Sequence, residues 1–570
     1  MWTSLRFLLT AALLIAFVNA NPTLPAPLNA TGACGVNCAE HGTCNPETRI
    51  CDCPLLLNGP DCSIRVQDPV AVCAQFSHLP HTCEATNRTL CLNRCHEQGW
   101  CEGGFCHCKP GFYGADCALS VGPDGLPKLL AGQGYRERKR GVKVYVYELP
   151  PVTNSWVYIR RIDRPLVPIL MQRFLSSGVR TVNGDEADYY FIPFVQRSRS
   201  HTHKNLAATI AYIRKHWPWW DRHGGGHKHL LVATNDLGRR ALVSEVLALT
   251  ENVTFLTHWG LHRNHTVTGW HESHRPGKDI VMPPVINPDE PIVYSPLHSG
   301  LKKEKPRVGQ LFFAGRICGD GEAPVNGSCG SSRHDYSAGT RQRVAKHHWN
   351  RTGFNISTHT TAYTHGLQTH KFCLAPTGGG YGKRSVLALI MGCVPVTVTD
   401  HVYQPFQPEI NWSDFSVHVP EADIPRMHDI LAAINFTDYI YLQAGARCAA
   451  QHLYYSTTFG EVMGEDGRFD AFETLMEILR MRKQYPGVPP ERYMKADSRF
   501  ADFVTCDQRI NGVKVPLCTQ NRLVRGREWK HCRELYPGVP MRYMDMFYSW
   551  PGGAVCGANR RVATCPRSWA

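Results

Sequence analysis

The sequence predicts a multidomain chain in which two small disulfide-rich modules lead into a large α/β region made of two parallel-sheet units. Three observations predict it. At 570 residues the chain is longer than one hydrophobic core serves. A six-cysteine set occurs twice between Cys34 and Cys117, part of a total of 24 cysteines. From residue 142 onward, short β-rich runs alternate with segments of helical spacing. A hydrophobic fraction of 43% with 19% charged residues excludes a disordered chain.

The first twenty residues read as a targeting segment. Arg6 precedes an apolar run from Phe7 to Val18, and Val18-Asn19-Ala20 resembles a small-residue cleavage site. That run is shorter than the roughly 20 apolar residues a membrane span needs. Residues 1–20 are therefore expected to be a cleaved signal peptide, with a retained signal anchor as the alternative. Either one delivers the body to the lumen of the secretory pathway, in the Golgi or beyond it. Sequons at Asn29, Asn87, Asn252, Asn264, Asn326, Asn350, Asn355, Asn411 and Asn435 would meet the glycosylation machinery there.

Residues 21–66 and 67–120 hold the two modules. The first carries Cys34, Cys38, Cys44, Cys51, Cys53 and Cys62; the second carries Cys91, Cys95, Cys101, Cys106, Cys108 and Cys117. Short Gly-rich hairpins need such staples to hold a shape. Zinc is the competing reading of closely spaced cysteines, and it is disfavoured by the oxidising compartment and by the lack of paired Cys-x2-Cys knuckles. The segment CHCKPGFYGADC, with Gly111 and Gly114 at turns, resembles the end of an EGF-like domain. That resemblance implies the pairs Cys34–Cys44, Cys38–Cys51, Cys53–Cys62, Cys91–Cys101, Cys95–Cys106 and Cys108–Cys117, and it allows a protein partner for the modules. Cys73 and Cys83, lying between them, are expected to bridge each other. Residues 121–140 lack periodicity and read as a linker, so a body freed of residues 21–120 is expected to fold alone.

The body supplies the runs VKVYVYEL, ADYYFIPF, KHLLVAT, NVTFLTH, GQLFFAGR and CVPVTVT as strands. Between them, PLVPILMQRFLSSG, NLAATIAYIRKHW, RRALVSEVLAL, RQRVAKHHW and KRSVLALIMG have helical spacing. The expected units are 141–295 and 296–480. A stripe of Phe469, Phe472, Met476 and Leu479 marks a core-packing helix near the end of the second. Residues 481–570 form an extension in which YPGVPPERYM recurs as YPGVPMRYM, with Cys506, Cys518, Cys532, Cys556 and Cys565.

Chemistry is concentrated where Gly378, Gly379, Gly380 and Gly382 precede Lys383, Arg384 and an apolar helical run. A Gly-rich turn into a helix is a natural diphosphate cradle. It is not a Walker A loop, since Thr377 and Arg384 occupy positions where Gly and Ser/Thr belong. No Asp-x-Asp occurs in the chain, which disfavours a transferase that holds its donor through a divalent ion. The ordered series KVYVYELP, DEADYYFIPF, HLLVATNDLG, GKDIVMPP, LFFAGR, FCLAPTGGGYGKRSVLALIMGCVPVTVTDHVYQPF and NWSDFSVHVPEADIP resembles the exostosin family of glycosyltransferases over residues 142–435.

This resemblance implies a GT-B architecture, with two Rossmann-like domains facing each other across a cleft and the second holding the sugar nucleotide. It implies an inverting transfer to a polysaccharide or glycoprotein acceptor, with the nucleotide sugar as substrate and no cofactor. Arg316 and Arg341 match cationic positions of the family and, with Gly379, Gly380, Lys383 and Arg384, are the expected donor-binding residues. Solvation at the surface is the bland reading of these arginines. Asp236 matches the family's Asp after a strand and is the expected base, with a helix-capping role as its rival. Histidines of RHGGGHKH and THWGLH are alternatives to it, and neither segment has the spacing of a metal site.

Leu387 departs from the family, which carries a ribose-binding Glu there; a second reading is therefore an inactive fold serving as an EGF-bearing binding protein. Cys373–Cys393 and Cys318–Cys329 are expected disulfides of this unit. The net charge of +14 and pI near 8.9 suit an anionic partner. Nucleic acid would explain the charge but not the targeting segment or the cysteines. The sequence leaves the oligomeric state open.

Overall fold

A computed structural model describes, with short gaps, residues 38–65, 91–129, 140–154, 166–286, 305–455 and 469–506, together with Cys34, Arg138, Ser295 and the pairs 509–510 and 513–514. The first half of the body runs Val144–Val146 (β1), Leu166–Ser176 (α1), Arg180–Thr181 (β2), Tyr189–Ile192 (β3), Arg199–His216 (α2), His229–Ala233 (β4), Ser244–Leu249 (α3), Thr254–Thr257 (β5) and Ile280–Val281 (β6). Its six strands lie in the order β2-β1-β3-β4-β5-β6, all parallel. All five residues of β4 are buried, as a strand covered on both faces requires, and this is why its sequence is a continuous apolar run.

The second half runs Gly309–Ala314 (β7), Thr340–His348 (α4), Phe354–Ser357 (β8), Tyr363–Thr369 (α5), His370–Leu374 (β9), Arg384–Ile390 (α6), Val394–Thr397 (β10) and Val417–His418 (β11). These strands form a second parallel sheet in the order β8-β7-β9-β10-β11. In both sheets the order reverses beside the first strand, as in doubly wound α/β sheets. Ligands of such sheets lie outside the carboxyl ends of the strands at that reversal. In the second sheet the reversal falls between β7 and β9.

Two long helices follow, Phe436–His452 (α7) and Ala471–Gln484 (α8). The expected boundary at residue 480 falls inside α8, and this helix covers the first sheet, not the second. Its apolar stripe needs an apolar partner and finds α1: the Phe472 and Phe174 rings lie 5.3 Å apart. Arg173 Nη1 pairs with Asp470 at 2.6 Å, both side chains fully buried, and the Tyr189 hydroxyl donates to the Leu479 carbonyl at 3.0 Å. One apolar cluster therefore runs from the first sheet through α8 and α7 to α6. Cys448–Cys506 ties the extension to the body, across a separation of 58 residues that no local spacing reports.

The cysteine-rich modules carry Cys34–Cys44, Cys38–Cys51, Cys53–Cys62, Cys91–Cys101, Cys95–Cys106 and Cys108–Cys117. The pair Cys73 and Cys83 lies outside the described residues. Among the described residues no cysteine is free, and no helix is long and apolar enough to cross a membrane. The stretch expected to be a linker begins as structure: Leu119–Val121 is the central strand of a three-stranded sheet, pairing with Phe112–Tyr113 on one side and Pro127–Leu129 on the other.

The modules do not hang free of the body. Glu47 accepts hydrogen bonds from the Tyr113 and Tyr145 hydroxyls and from Trp217 Nε1, at 2.9, 3.0 and 3.1 Å. Arg180 of β2 pairs with Glu148 at 2.6 Å and with Asp116 of the second module at 3.3 Å, all three side chains buried. Burial, only partly opposed by Arg180, pushes Glu148 up to about 7. Burial also acts on Asp116, but there Arg180, His96 and Asn93 prevail and hold it well below the carboxylate range. A polar network of this kind is costly when half of it is removed. A body freed of residues 21–120 loses these partners.

Candidate functional site

The carboxyl ends of β7 and β9 meet the turn Thr377–Gly382 that leads into α6. Left-handed backbone is not what the glycines provide: none of Gly378, Gly379, Gly380 and Gly382 has a positive φ. Close approach is the requirement at one of them. A Cβ on Gly380 would lie 1.8 Å from the Asp236 carbonyl oxygen, whereas one on Gly379 would meet nothing within 4 Å. The turn from the second sheet thus abuts the end of β4 in the first.

Three arginines converge here, each placed by a different element. Arg316 follows β7, Arg341 is the second residue of α4, and Arg384 opens α6. Helix α4 is aimed by a tight turn in which Ser337, Ala338 and Gly339 all have positive φ, at 60°, 52° and 70°. Ser337 and Ala338 are fully buried in this conformation, which costs non-glycine residues about 1–3 kcal/mol each. The Ser337 N–H donates to the Gly378 carbonyl at 2.8 Å, tying the start of α4 to the Gly-rich turn.

Arg341 is 6% exposed. Its Nη1 donates to the Arg316 carbonyl and to the Tyr336 hydroxyl, both at 2.8 Å. Arg384 Nη1 donates to the Tyr363 hydroxyl at 3.1 Å, and its guanidinium lies 4.6 Å from the Phe313 ring centre. Gly315 makes room for it, since a Cβ there would fall 1.9 Å from Arg384 Nη2. Arg316 differs: Nε donates to the Cys318 carbonyl at 3.1 Å, and Nη2 donates to the Gly319 carbonyl. It is committed to the loop closed by Cys318–Cys329. Among the described residues none of the three arginines pairs with a carboxylate. Burial and the neighbouring Arg384 and Arg316 charges press Arg341 down to about 10, against an opposing pull from Tyr336.

The facing rim belongs to the first sheet. Asp236 is exposed just after β4, with its carbonyl against Gly380. His258, directly after β5, is buried; its Nδ1–H donates to the Met282 carbonyl at 2.9 Å, and its ring centre lies 4.9 Å from that of Tyr381. Of the other histidine candidates, His227 is exposed and His223 lies 3.0 Å from the Tyr190 hydroxyl. His229 is buried against the Tyr147 hydroxyl at 2.7 Å, and His262 stacks on Tyr403 at 4.2 Å. The two rims also touch at Gly260, where the Tyr403 N–H donates to the Gly260 carbonyl at 2.9 Å and a Cβ would lie 2.1 Å from the Tyr403 oxygen.

The structure therefore brings together Arg341, Arg384, Gly379, Gly380 and Lys383, which caps α6, and sets Asp236 opposite them. Tyr336, Tyr363, Phe313, Gly315 and Gly260 were not anticipated; an aromatic residue or single glycine carries no recognisable spacing. Leu387 lies on α6, half-buried against a small apolar cluster containing Phe312, Leu367, Ala388 and the Cys373–Cys393 disulfide.

Residues 138–434 match the exostosin GT47 domain. A probable beta-1,4-xylosyltransferase of Arabidopsis thaliana is 32% identical over 319 residues, covering 51% of this chain and 71% of the relative. A probable glucuronosyltransferase of Oryza sativa subsp. japonica is 30% identical over 323 residues, with 51% and 71% covered. Another japonica rice relative, also a probable glucuronosyltransferase, is 29% identical over 327 residues, with 53% and 70% covered. With over half of its length inside that domain, the chain belongs to the exostosin GT47 family of glycosyltransferases.

Proposed function

We propose that this protein transfers a sugar from a nucleoside-diphosphate sugar to a glycan or glycoprotein acceptor in the secretory pathway, through a GT-B cleft between its two parallel-sheet halves. The observation that carries the reading is the convergence of arginines with no carboxylate partner among the described residues, at the reversal point of the second sheet. Arg341 is buried and Arg384 half-buried, while Arg316 is exposed; a cation withdrawn from water without a counterion is costly unless a ligand supplies the charge. A diphosphate supplies it.

In the proposed step the acceptor hydroxyl oxygen bonds to the anomeric carbon and its proton passes to a base on the first-sheet rim, for which Asp236 is the nominee. The bond from the anomeric carbon to phosphate breaks, and the nucleoside diphosphate leaves with the electron pair. Attack from the face opposite the leaving group inverts the anomeric centre. Arg341, Arg384, Lys383 and the backbone of Gly379 and Gly380 stabilise the charge that develops. With fixed cations in this role and no Asp-x-Asp in the chain, the transfer is proposed to be metal-independent. The cysteine-rich modules are proposed to be EGF-like and to serve as a rigid part of the enzyme.

Leu387 favours a second reading, an inactive fold that binds glycans, because an alkyl side chain gives a donor ribose no hydrogen bond. Secreted protein assayed with UDP- and GDP-sugars, with and without EDTA, separates the two. Transfer or donor hydrolysis that survives EDTA supports the enzyme; no turnover with any donor supports the binding protein.

A further inference from the structure

The edge of Arg341 that faces the Gly-rich turn is selected by Tyr336. A guanidinium presents two bidentate edges to a phosphate, and which one is offered depends on where its remaining N–H groups are spent. Here Nη1 is spent twice over, on the Tyr336 hydroxyl and on the Arg316 carbonyl. Nη2 points toward the turn, 3.9 Å from where a Cβ on Gly378 would stand. Nε is buried and has no hydrogen-bond partner among the described residues. The adjoining Nε and Nη2 groups form the free edge.

Tyr336 also has a second contact. Its ring meets two cations, with the Arg316 guanidinium 4.4 Å and the Arg341 guanidinium 4.9 Å from its centre. Two like charges this close repel, and an aromatic face offsets part of that cost for each. Arg316, held on the carbonyls of Cys318 and Gly319, clamps one face of the ring, so the hydroxyl is held in place for Arg341. Tyr363 does the corresponding job for Arg384, accepting from Nη1.

We infer that Tyr336 is a positioning residue for the donor diphosphate: its hydroxyl occupies Nη1 of Arg341 so that the Nε–Nη2 edge is held open for a phosphate, while Arg316 acts as the wedge behind it and not as a phosphate ligand. The inference rests on the donor-site reading above and adds a division of labour among its arginines.

The test uses inorganic pyrophosphate and UDP as probes, titrated calorimetrically into the full-length secreted protein. Tyr336→Phe keeps the ring and removes the hydroxyl, and it is expected to weaken both probes about tenfold, the size of one charged hydrogen bond, with the melting temperature unchanged. Tyr336→Ala, which also frees the ring contacts, is expected to weaken them further. In an Arg341→Ala background Tyr336→Phe should have no effect, because the hydroxyl then has nothing to orient. A merely structural role would give the same loss in both backgrounds, and that additivity would overturn the inference, as would full affinity in Tyr336→Phe. Failure of the wild-type protein to bind either probe would instead refute the donor-site reading itself.

Discussion

The contact between Gly380 and the end of β4 yields a paired perturbation. Gly380→Ala places a methyl group 1.8 Å from the Asp236 carbonyl oxygen and 2.6 Å from its carbon, against an ordinary contact of 3.4 Å or more. One of the two backbones must retreat by about 1.6 Å. Neither retreats freely. Asp236 follows a fully buried strand, and the turn is tied by Ser337 N–H to Gly378 and by Gly378 N–H to the Gly380 carbonyl. Overpacking of this kind costs about 1–3 kcal/mol, which corresponds to roughly a five- to 150-fold loss if it is borne by the closed cleft. Gly379→Ala is the control, since its Cβ meets nothing and its φ is not left-handed. Donor turnover by the two variants, with circular dichroism to verify folding, is the assay. Equal activity of Gly380→Ala and wild type, or an equal loss in Gly379→Ala, would refute the claim that the rims touch here for function.

Further predictions concern the pocket, the modules and pH. Leu387→Glu should lower both the melting temperature and turnover, because it puts a carboxylate against the Phe312 and Leu367 cluster; higher turnover would instead show a missing ribose contact. Deleting residues 21–120 should give a molten or aggregating chain, since it strips partners from the buried Arg180 and from Tyr145; a cooperative melt of the truncated protein would contradict this. Glu148 is raised from 4.5 to about 7, so the folded state holds its proton more tightly than the unfolded state does. Its stabilising contribution is therefore complete at about pH 4.5 and below, and is lost as pH rises through 7. Melting temperatures should fall between pH 5 and 8, and Glu148→Gln should flatten that slope; an unchanged slope in the variant would remove Glu148 as the cause.

Strands and helices of the body were legible because parallel strands covered on both faces must be continuous apolar runs, as in HLLVA and VPVT. Very short strands such as Ile280–Val281 and Val417–His418 were not, since two residues carry no periodicity. Residues 121–129 read as part of a linker because turn-rich sequence hides edge strands that pair locally. The packing of α8 on the first sheet depends on Arg173 meeting Asp470 across 297 positions, which no local pattern reports. In the pocket the charged and glycine residues were visible as types, but their roles were not. Gly380 serves close approach and not turn geometry, and Arg316 is held by the loop carbonyls of Cys318 and Gly319. Tyr336 and Tyr363 acquire meaning only when their hydroxyls are seen on Arg341 and Arg384.

The central claim is that Arg341 and Arg384, which pair with no carboxylate among the described residues, hold a nucleotide diphosphate. Calorimetric titration of the full-length secreted protein with UDP- and GDP-sugars in EDTA, beside Arg341→Ala and Arg384→Ala, tests it most directly. Charged hydrogen bonds to a desolvated anion contribute about 1.5–3 kcal/mol each, so each variant should bind at least about tenfold more weakly, with the metal chelator having no effect. Undiminished donor binding in both variants, or binding that disappears with EDTA, would contradict the account.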